Sequence, residues 1–293
     1  MDPQNIQNIR TRYGAFFIDV VRDKKMAYAL KSAAYPSEGL LRLARLFVNE
    51  KSVVVDIGAH IGTFAVPIAA HAGRVIAFEP SPASFELLSR NVGAANGNFE
   101  LKQEALGKES GSGTILVRNA SNAGANTLSP GDDIPVATLD SEVAHADFIK
   151  IDVEGMELDV LRGGAGLIER ARPAVLFEVN LFQLRAHGTS PRALERFFKT
   201  RKYSLYFPLA GKLACVANTT LVSALFAPRA WLFGSDSAPF DLLAVPRERP
   251  LPVPCGGFFR LIRYLISENL TAKLTRLSRI FSHASRRYTG HTA

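Results

Sequence analysis

A doubly wound, Rossmann-like α/β fold is predicted for this chain, with a mostly parallel seven-stranded sheet and an antiparallel final strand. Two observations predict it. Three short β-branched or aromatic runs each stop at a carboxylate: Val53-Val54-Val55-Asp56, Val75-Ile76-Ala77-Phe78-Glu79 and Phe148-Ile149-Lys150-Ile151-Asp152. Runs of this kind also alternate with helix-periodic segments, which is the pattern of a parallel sheet covered by helices. In such a sheet the stopping points align along the carboxyl edge, where ligands bind. With 293 residues, 47% of them hydrophobic, the chain can bury one large core with appendages.

The elements follow in order. Residues 37–49 repeat apolar positions at helical spacing after Pro36-Ser37. Strand one is expected over 52–56, then a helix from 61 to about 71, which Gly73 closes. Strand two covers 74–78, and Pro82 opens a helix over 83–95. Strand three covers 99–103. Residues 107–135 are rich in Gly, Ser and Asn around one apolar run at 114–117, which reads as a hairpin or loop excursion. Strand four covers 147–152, and the following helix ends at Gly163-Gly164. Strand five covers 173–179, a helix covers 191–199, and strands at 203–208 and 241–245 complete the sheet. Residues 209–240 carry no clear pattern. The four prolines of 246–254 read as a linker. The chain therefore divides into a helical or irregular lead-in (1–50), a central domain (51–247), and a linker with a basic tail (248–293).

Charge is concentrated in that tail. Residues 258–293 hold seven Lys/Arg against the single Glu268, so +6 of the net +8 lies there and +2 is left for the first 257 residues. A nearly neutral body does not favour a nucleic-acid partner. In the tail, Phe258, Leu261, Ile262, Leu265, Ile266, Leu270, Leu274, Leu277 and Phe281 recur at helical spacing. Such a basic amphipathic helix either docks on the domain or attaches to an anionic membrane surface. The amino terminus lacks the pattern of a signal peptide. The longest charge-free apolar stretch, 213–228, is shorter than the roughly 20 residues of a spanning helix. A cytoplasmic protein is expected, with peripheral membrane contact as the alternative. Cys215 and Cys255 have no CxxC partner, so neither a disulfide framework nor a zinc site is indicated.

The candidate site residues sit at the strand ends. Gly58 frees the backbone for positive φ and close approach, and Gly62 permits tight packing at the helix start. Their G-x-x-x-G spacing differs from the dinucleotide fingerprint. Asp56 can hold the turn or reach the amino-acid portion of a cofactor through water. Glu79, 23 residues after Asp56, can accept both ribose hydroxyls of an adenosine. Glu104 and Ala105 fall where the adenine edge would lie. This spacing suits an adenosyl-type cofactor, and together with the polar cluster ending at Asp152 it points to S-adenosylmethionine. Lys150 and Asp152 share a face, and a buried ammonium needs a partner, for which Asp152 and Glu178 are candidates. Glu154 and Glu157 open a helix, where its dipole favours acids. Asp152 and Glu178 together make a polar floor for an acceptor hydroxyl.

These residues carry a specific resemblance. The run Val55-Asp56-Ile57-Gly58-Ala59-His60-Ile61-Gly62, with Phe78-Glu79-Pro80, Asn91, Thr138-Leu139-Asp140, Phe177-Glu178 and Asp241-Leu242-Leu243-Ala244-Val245-Pro246, resembles the FkbM family of methyltransferases. Its most specific part is Lys150-Ile151-Asp152-Val153-Glu154-Gly155, and the similarity covers roughly residues 50–247. His60 stands where that family more usually has asparagine. The resemblance implies a class I Rossmann-like fold and S-adenosylmethionine-dependent O-methylation, often of sugars or natural products. Asp152 is then the expected base or acceptor-orienting group, assisted by Lys150 and Glu178, with His60 holding the turn. The expected partner is a small-molecule or carbohydrate acceptor. A divalent metal at Asp152 is left open, because some related O-methyltransferases use one; the sequence has no HExxH motif or His/Cys cluster. Two other readings compete: a non-catalytic methyltransferase-like module at a membrane, and a nicotinamide-dependent oxidoreductase. The missing third glycine of the dinucleotide fingerprint argues against the second.

Overall fold

The computed structural model describes residues 2–33, 35–116, 127–209, 212–219, 222–223 and 239–257. The chain opens with a hairpin of β1 (Ile6–Thr11) and β2 (Gly14–Asp19), followed by helices α1 (Lys24–Lys31) and α2 (Glu38–Ala44). The sequence reading of 1–50 contains no strand. Polar Gln7, Asn8 and Arg10 mask the β1 pattern, and the buried side is carried by Ile9, Phe16 and Ile18. The hairpin is fastened to the rest of the fold by Asn91. Its Oδ1 accepts the Phe17 N–H at 2.7 Å, and its Nδ2 donates to the carbonyls of Ile61 (2.8 Å) and Phe17 (3.2 Å).

The first sheet half is β3 (Val53–Ile57), α3 (Ala65–Ala69), β4 (Arg74–Phe78), α4 (Pro82–Gly93) and β5 (Phe99–Lys102). Helix α3 is far shorter than the helix expected over 61–71. Pro67 supplies the reason: a start at Ile61 would bury it in the helix interior, whereas a start at Ala65 leaves it in the first turn, where no N–H is needed. The excursion that follows folds as β6 (Ala105–Leu106), β7 (Gly111–Leu116) and β8 (Thr127–Ala137), a side sheet ordered β6-β8-β7. After α5 (Leu139–Glu142) come β9 (Phe148–Ile151), α6 (Glu157–Gly163), α7 (Ala165–Ala171) and β10 (Ala174–Val179). Helices α8 (Leu181–Ala186) and α9 (Pro191–Thr200) lead to β11 (Tyr203–Leu209), β12 (Lys212–Cys215), β13 (Phe240–Pro246) and β14 (Cys255–Gly256).

The main sheet runs β14-β12-β11-β13-β10-β9-β3-β4-β5, nine strands among the described residues rather than the seven expected. Strands β5, β4, β3, β9 and β10 are parallel; β13 inserts antiparallel between β10 and β11. The two additional strands lie at the β11 edge. The proline-rich stretch read as a linker returns to the sheet, pairing Cys255 with Leu213. Residues 258–293, and with them the amphipathic-tail expectation, lie outside the described residues, as does most of 209–240. Among the described residues no helix is long and apolar enough to cross a membrane.

Both faces of the sheet are covered. Val54, Val75, Ala77, Phe148 and Leu176 pack with Phe64, Ile68, Leu87, Leu88 and the hairpin's Phe16. The alternate residues Val55, Ile76, Ile149 and Phe177 pack with Leu161, Leu167, Ile168 and Phe198 from α6, α7 and α9. Phe177 and Phe198 stack with ring centroids 5.1 Å apart. Each such side chain contributes about 1.5–3 kcal/mol on burial. Double-sided burial explains why β3, β9 and β10 read as near-continuous apolar runs. It also makes a charged residue within β3 and β9 costly, and two are present.

Candidate functional site

Those two residues are Asp56 and Lys150, register partners on β3 and β9. The Lys150 Nζ donates to Asp56 Oδ1 at 2.9 Å and to the Gly58 carbonyl at 3.0 Å, and lies 3.8 Å from Asp152 Oδ2. The Asp56 side chain is 0% exposed and that of Lys150 8%. Of the partners weighed from sequence, Asp152 is within reach; the nearest carboxylate is Asp56, across the strand pair. Burial works against the ammonium, but the carboxylates of Asp56 and Asp152 outweigh it and hold its pKa above the ordinary lysine value. The pair thus fixes the ends of β3 and β9 against each other and steadies the glycine turn through the Gly58 carbonyl.

That turn is tightly enclosed. Gly58 has φ +77°, and a Cβ there would sit 1.9 Å from the Asp152 carbonyl oxygen. The close approach the glycine allows is that of the Asp152 backbone. Gly58→Ala is expected to cost about 1–2 kcal/mol for the left-handed conformation alone and more for the clash. A denaturant midpoint equal to that of the wild type would contradict this account. Gly62, φ +88°, packs against Leu88 of α4. Between the glycines, the N–H groups of Gly58 and Ala59 both donate to the Phe78 carbonyl at 3.0 Å, tying the turn to the end of β4. The next residue on β4's path is Glu79. Its Oε2 accepts the His60 N–H at 2.8 Å and its Oε1 the Ser81 N–H at 2.9 Å. Burial raises the pKa of Glu79, opposed by His60 and by the Ser81 N–H.

A cavity of about 340 Å³ opens at this carboxyl edge. Gly58, Glu79, Glu104, Ala105, Lys150, Asp152 and Glu178 line it. Asp56 lies beneath, held by Lys150, and Gly62 lies behind, against α4; neither lines the cavity. The roof carries no sequence motif. It comes from Asp23 and from Lys25, Met26 and Ala29 of α1, from Leu40 of α2, and from Ile115 and Leu128 of the side sheet.

One side of the cavity is acidic. The Asp152 side chain is 40% exposed, whereas that of Asp56 is fully buried. Glu178 faces Asp241 across the β10–β13 pair. Burial, then Asp152, Glu154 and Asp241, push the Glu178 pKa well above its ordinary value. Burial and Asp152 raise Asp241 to about 7, with Lys150 opposing. Asp241 is absent from the sequence-predicted set. Its neighbourhood with Glu178 depends on the antiparallel insertion of β13, which residue spacing does not reveal. Glu157 has a structural duty: its Oε1 accepts the N–H groups of Gly155 (3.1 Å) and Val153 (3.4 Å). Glu154 contacts the Gln183 side chain, and burial raises its pKa to about 7. The arrangement offers an accessible carboxylate, able to accept a proton, beside carboxyl groups that burial favours in their protonated, hydrogen-bond-donating form. Among the described residues no group of three or more His, Cys, Asp or Glu side chains is arranged to hold a metal ion.

Comparison with known proteins adds to this geometry. Residues 56–205 match the family described as the methyltransferase FkbM domain. The hexuronic acid methyltransferase AglP of Haloferax volcanii is 27% identical over 175 residues, which is 57% of this chain and 70% of that protein. The methyltransferase sdnD of Sordaria araneosa is 26% identical over 153 residues, 38% of this chain and 59% of its own length. A crystal structure of a methyltransferase FkbM from Methylobacillus flagellatus KT aligns with 44% of this chain and 33% of that one, at 21% identity and a TM-score of 0.35.

Proposed function

Since this chain belongs to the methyltransferase FkbM domain family, we propose that it transfers a methyl group from S-adenosylmethionine to a hydroxyl of a sugar, glycan or natural product. The observation that carries the reading is the convergence of the Gly58 turn, Glu79 and Asp152 on one cavity at the carboxyl edge of the sheet. Its volume of about 340 Å³ falls within the roughly 300–1,000 Å³ of small-molecule sites. Each Glu79 oxygen accepts one backbone N–H, which leaves each a further lone pair for a ribose hydroxyl. The residues present therefore fit the donor. A sugar acceptor is supported by the printed activity of the haloarchaeal relative, a hexuronic acid methyltransferase.

When bound, S-adenosylmethionine supplies a methyl carbon already activated on a sulfonium. Glu79 would accept hydrogen bonds from the ribose hydroxyls, and Glu104 and Ala105 would hold the adenine. The Asp56–Lys150 pair keeps the turn and the end of β9 at fixed separation, so much of the rate comes from positioning. Asp152, the open carboxylate, orients the acceptor hydroxyl and takes its proton. Glu178, which burial favours as the neutral acid, donates a hydrogen bond to the acceptor and leaves Asp152 as the receiving base.

Glu79→Ala tests the donor site. Loss of two hydrogen bonds to a charged group, about 1.5–3 kcal/mol each, predicts donor affinity at least roughly 100-fold weaker by calorimetry. Glu79→Gln, which keeps one acceptor oxygen, should lie between. The alanine variant also loses the acceptor of two backbone N–H groups, so its unfolding midpoint must be measured alongside. No binding heat from the wild-type protein, or unchanged affinity in a folded Glu79→Ala, contradicts the assignment.

A further inference from the structure

A short chain of contacts runs from the roof of the cavity to its floor. Asp23 precedes α1, and its Oδ1 accepts the Met26 N–H at 3.2 Å, capping the helix. Its other oxygen, Oδ2, lies 3.0 Å from the His60 Nε2. His60 in turn donates its backbone N–H to Glu79 Oε2 at 2.8 Å. Asp23 and His60 are both nearly buried, with side chains 5% and 14% exposed. Asp23 Oδ2 and His60 Nε2 meet as an ion pair, and beyond that contact neither atom has a hydrogen-bonding partner among the described residues. If they separate, two buried polar atoms are left bare, which is costly. His60 holds φ +54°, a left-handed conformation uncommon outside glycine and one that asparagine, aspartate and histidine adopt more readily than other side chains.

We propose that Asp23 and His60 are positioning residues for the methyl donor: their contact holds α1 closed over the cavity and ties that roof to Glu79 through the shared turn. The proposal rests on the donor site described above, and extends it to a segment before residue 56, where the family match begins. The contact is strongest with a protonated imidazole. Burial opposes that charge, but Asp23 and Glu79 outweigh burial and the nearby Lys150 ammonium, and the His60 pKa lies above its ordinary value. A group whose pKa is raised in the closed form contributes its contact at low pH and loses it as pH rises through that raised value.

Two conservative variants separate this role from simple folding. His60→Asn keeps the backbone N–H to Glu79 and suits the left-handed turn; Asp23→Asn keeps a helix cap of equal quality. Donor affinity is measured by calorimetry at about pH 6 and about pH 8, which span the imidazole range. At the lower pH each variant should bind S-adenosylmethionine about tenfold more weakly, the loss expected when a nearly buried ion-pair contact is removed. The double variant should be no worse than either single one. Wild-type affinity should fall toward theirs at the higher pH. Amide hydrogen exchange over residues 24–31 of the unliganded protein should be faster in all three variants. Additive losses, or unchanged affinity with unchanged exchange, overturn the proposal. Should the wild type bind no donor, the donor-site reading fails, while the exchange experiment still decides whether Asp23 and His60 hold the roof.

Discussion

Asp152→Asn is expected to lower turnover by roughly 100- to 10,000-fold, the usual value of general-base help, while donor affinity stays within about threefold. The substitution keeps size and backbone and removes only the open carboxylate, and the Lys150 ammonium retains its nearer partner at 2.9 Å, Asp56. Methyl transfer from labelled S-adenosylmethionine into a cell extract gives a readout, and isolating the labelled product identifies the acceptor. Near-normal labelling by the variant would move the proton-accepting role to Glu178 or to its neighbour Asp241. The metal alternative predicts a different outcome: loss of labelling on chelation and recovery with magnesium.

Lys150→Met should have the largest effect on stability. It leaves the Asp56 carboxylate, 0% exposed, without its cation. Breaking a buried ion pair by removing one partner costs about 3–5 kcal/mol, against a total of about 5–15 kcal/mol for a typical domain. Urea unfolding should show the midpoint falling accordingly. The double variant Asp56→Asn with Lys150→Met should recover part of the loss, because no buried charge is then stranded. Additivity of the two single effects, or an unchanged midpoint for Lys150→Met, would mean that the pair does not hold the strands together.

The parts of the fold legible in sequence share one physical property. β3, β4, β9 and β10 are covered on both faces, so their composition alone marks them. Their ends carry Gly58, Glu79, Asp152 and Glu178, and strand direction alone places those ends along one edge. What could not be read depends on partners distant in the chain. Lys150 is 94 residues from Asp56, and nothing local distinguishes Asp56 from the nearer candidates Asp152 and Glu178. The β1–β2 hairpin takes its burial from apolar residues of α1, α2 and α4, and its own alternation is interrupted by polar residues. Strands β12 and β14 are short and lie outermost on one side of the sheet, and their composition differs little from that of loops. Apolar periodicity alone overstates the length of α3, because Pro67 restricts where the helix can start. The roof of the cavity has no motif: Met26, Ala29 and Leu40 are ordinary apolar residues until α1 is seen lying over the turn.

Strand β13 has a consequence for how the molecule is made. It occupies the space between β10 and β11, yet it is synthesised after both, ending at Pro246. A growing chain that has emerged only as far as Leu209 holds two strands that cannot pair with each other, each with an open apolar edge. The sheet can close only when a late segment threads between earlier ones, and such long-range pairing is slow and prone to aggregation. A fragment trimmed to residues 56–205, the family match, begins inside β3, ends inside β11 and lacks both β13 and the α1 roof, so it can never close the sheet. Such a fragment is expected to be recovered as aggregate, whereas a chain extending to residue 257 can close the gap.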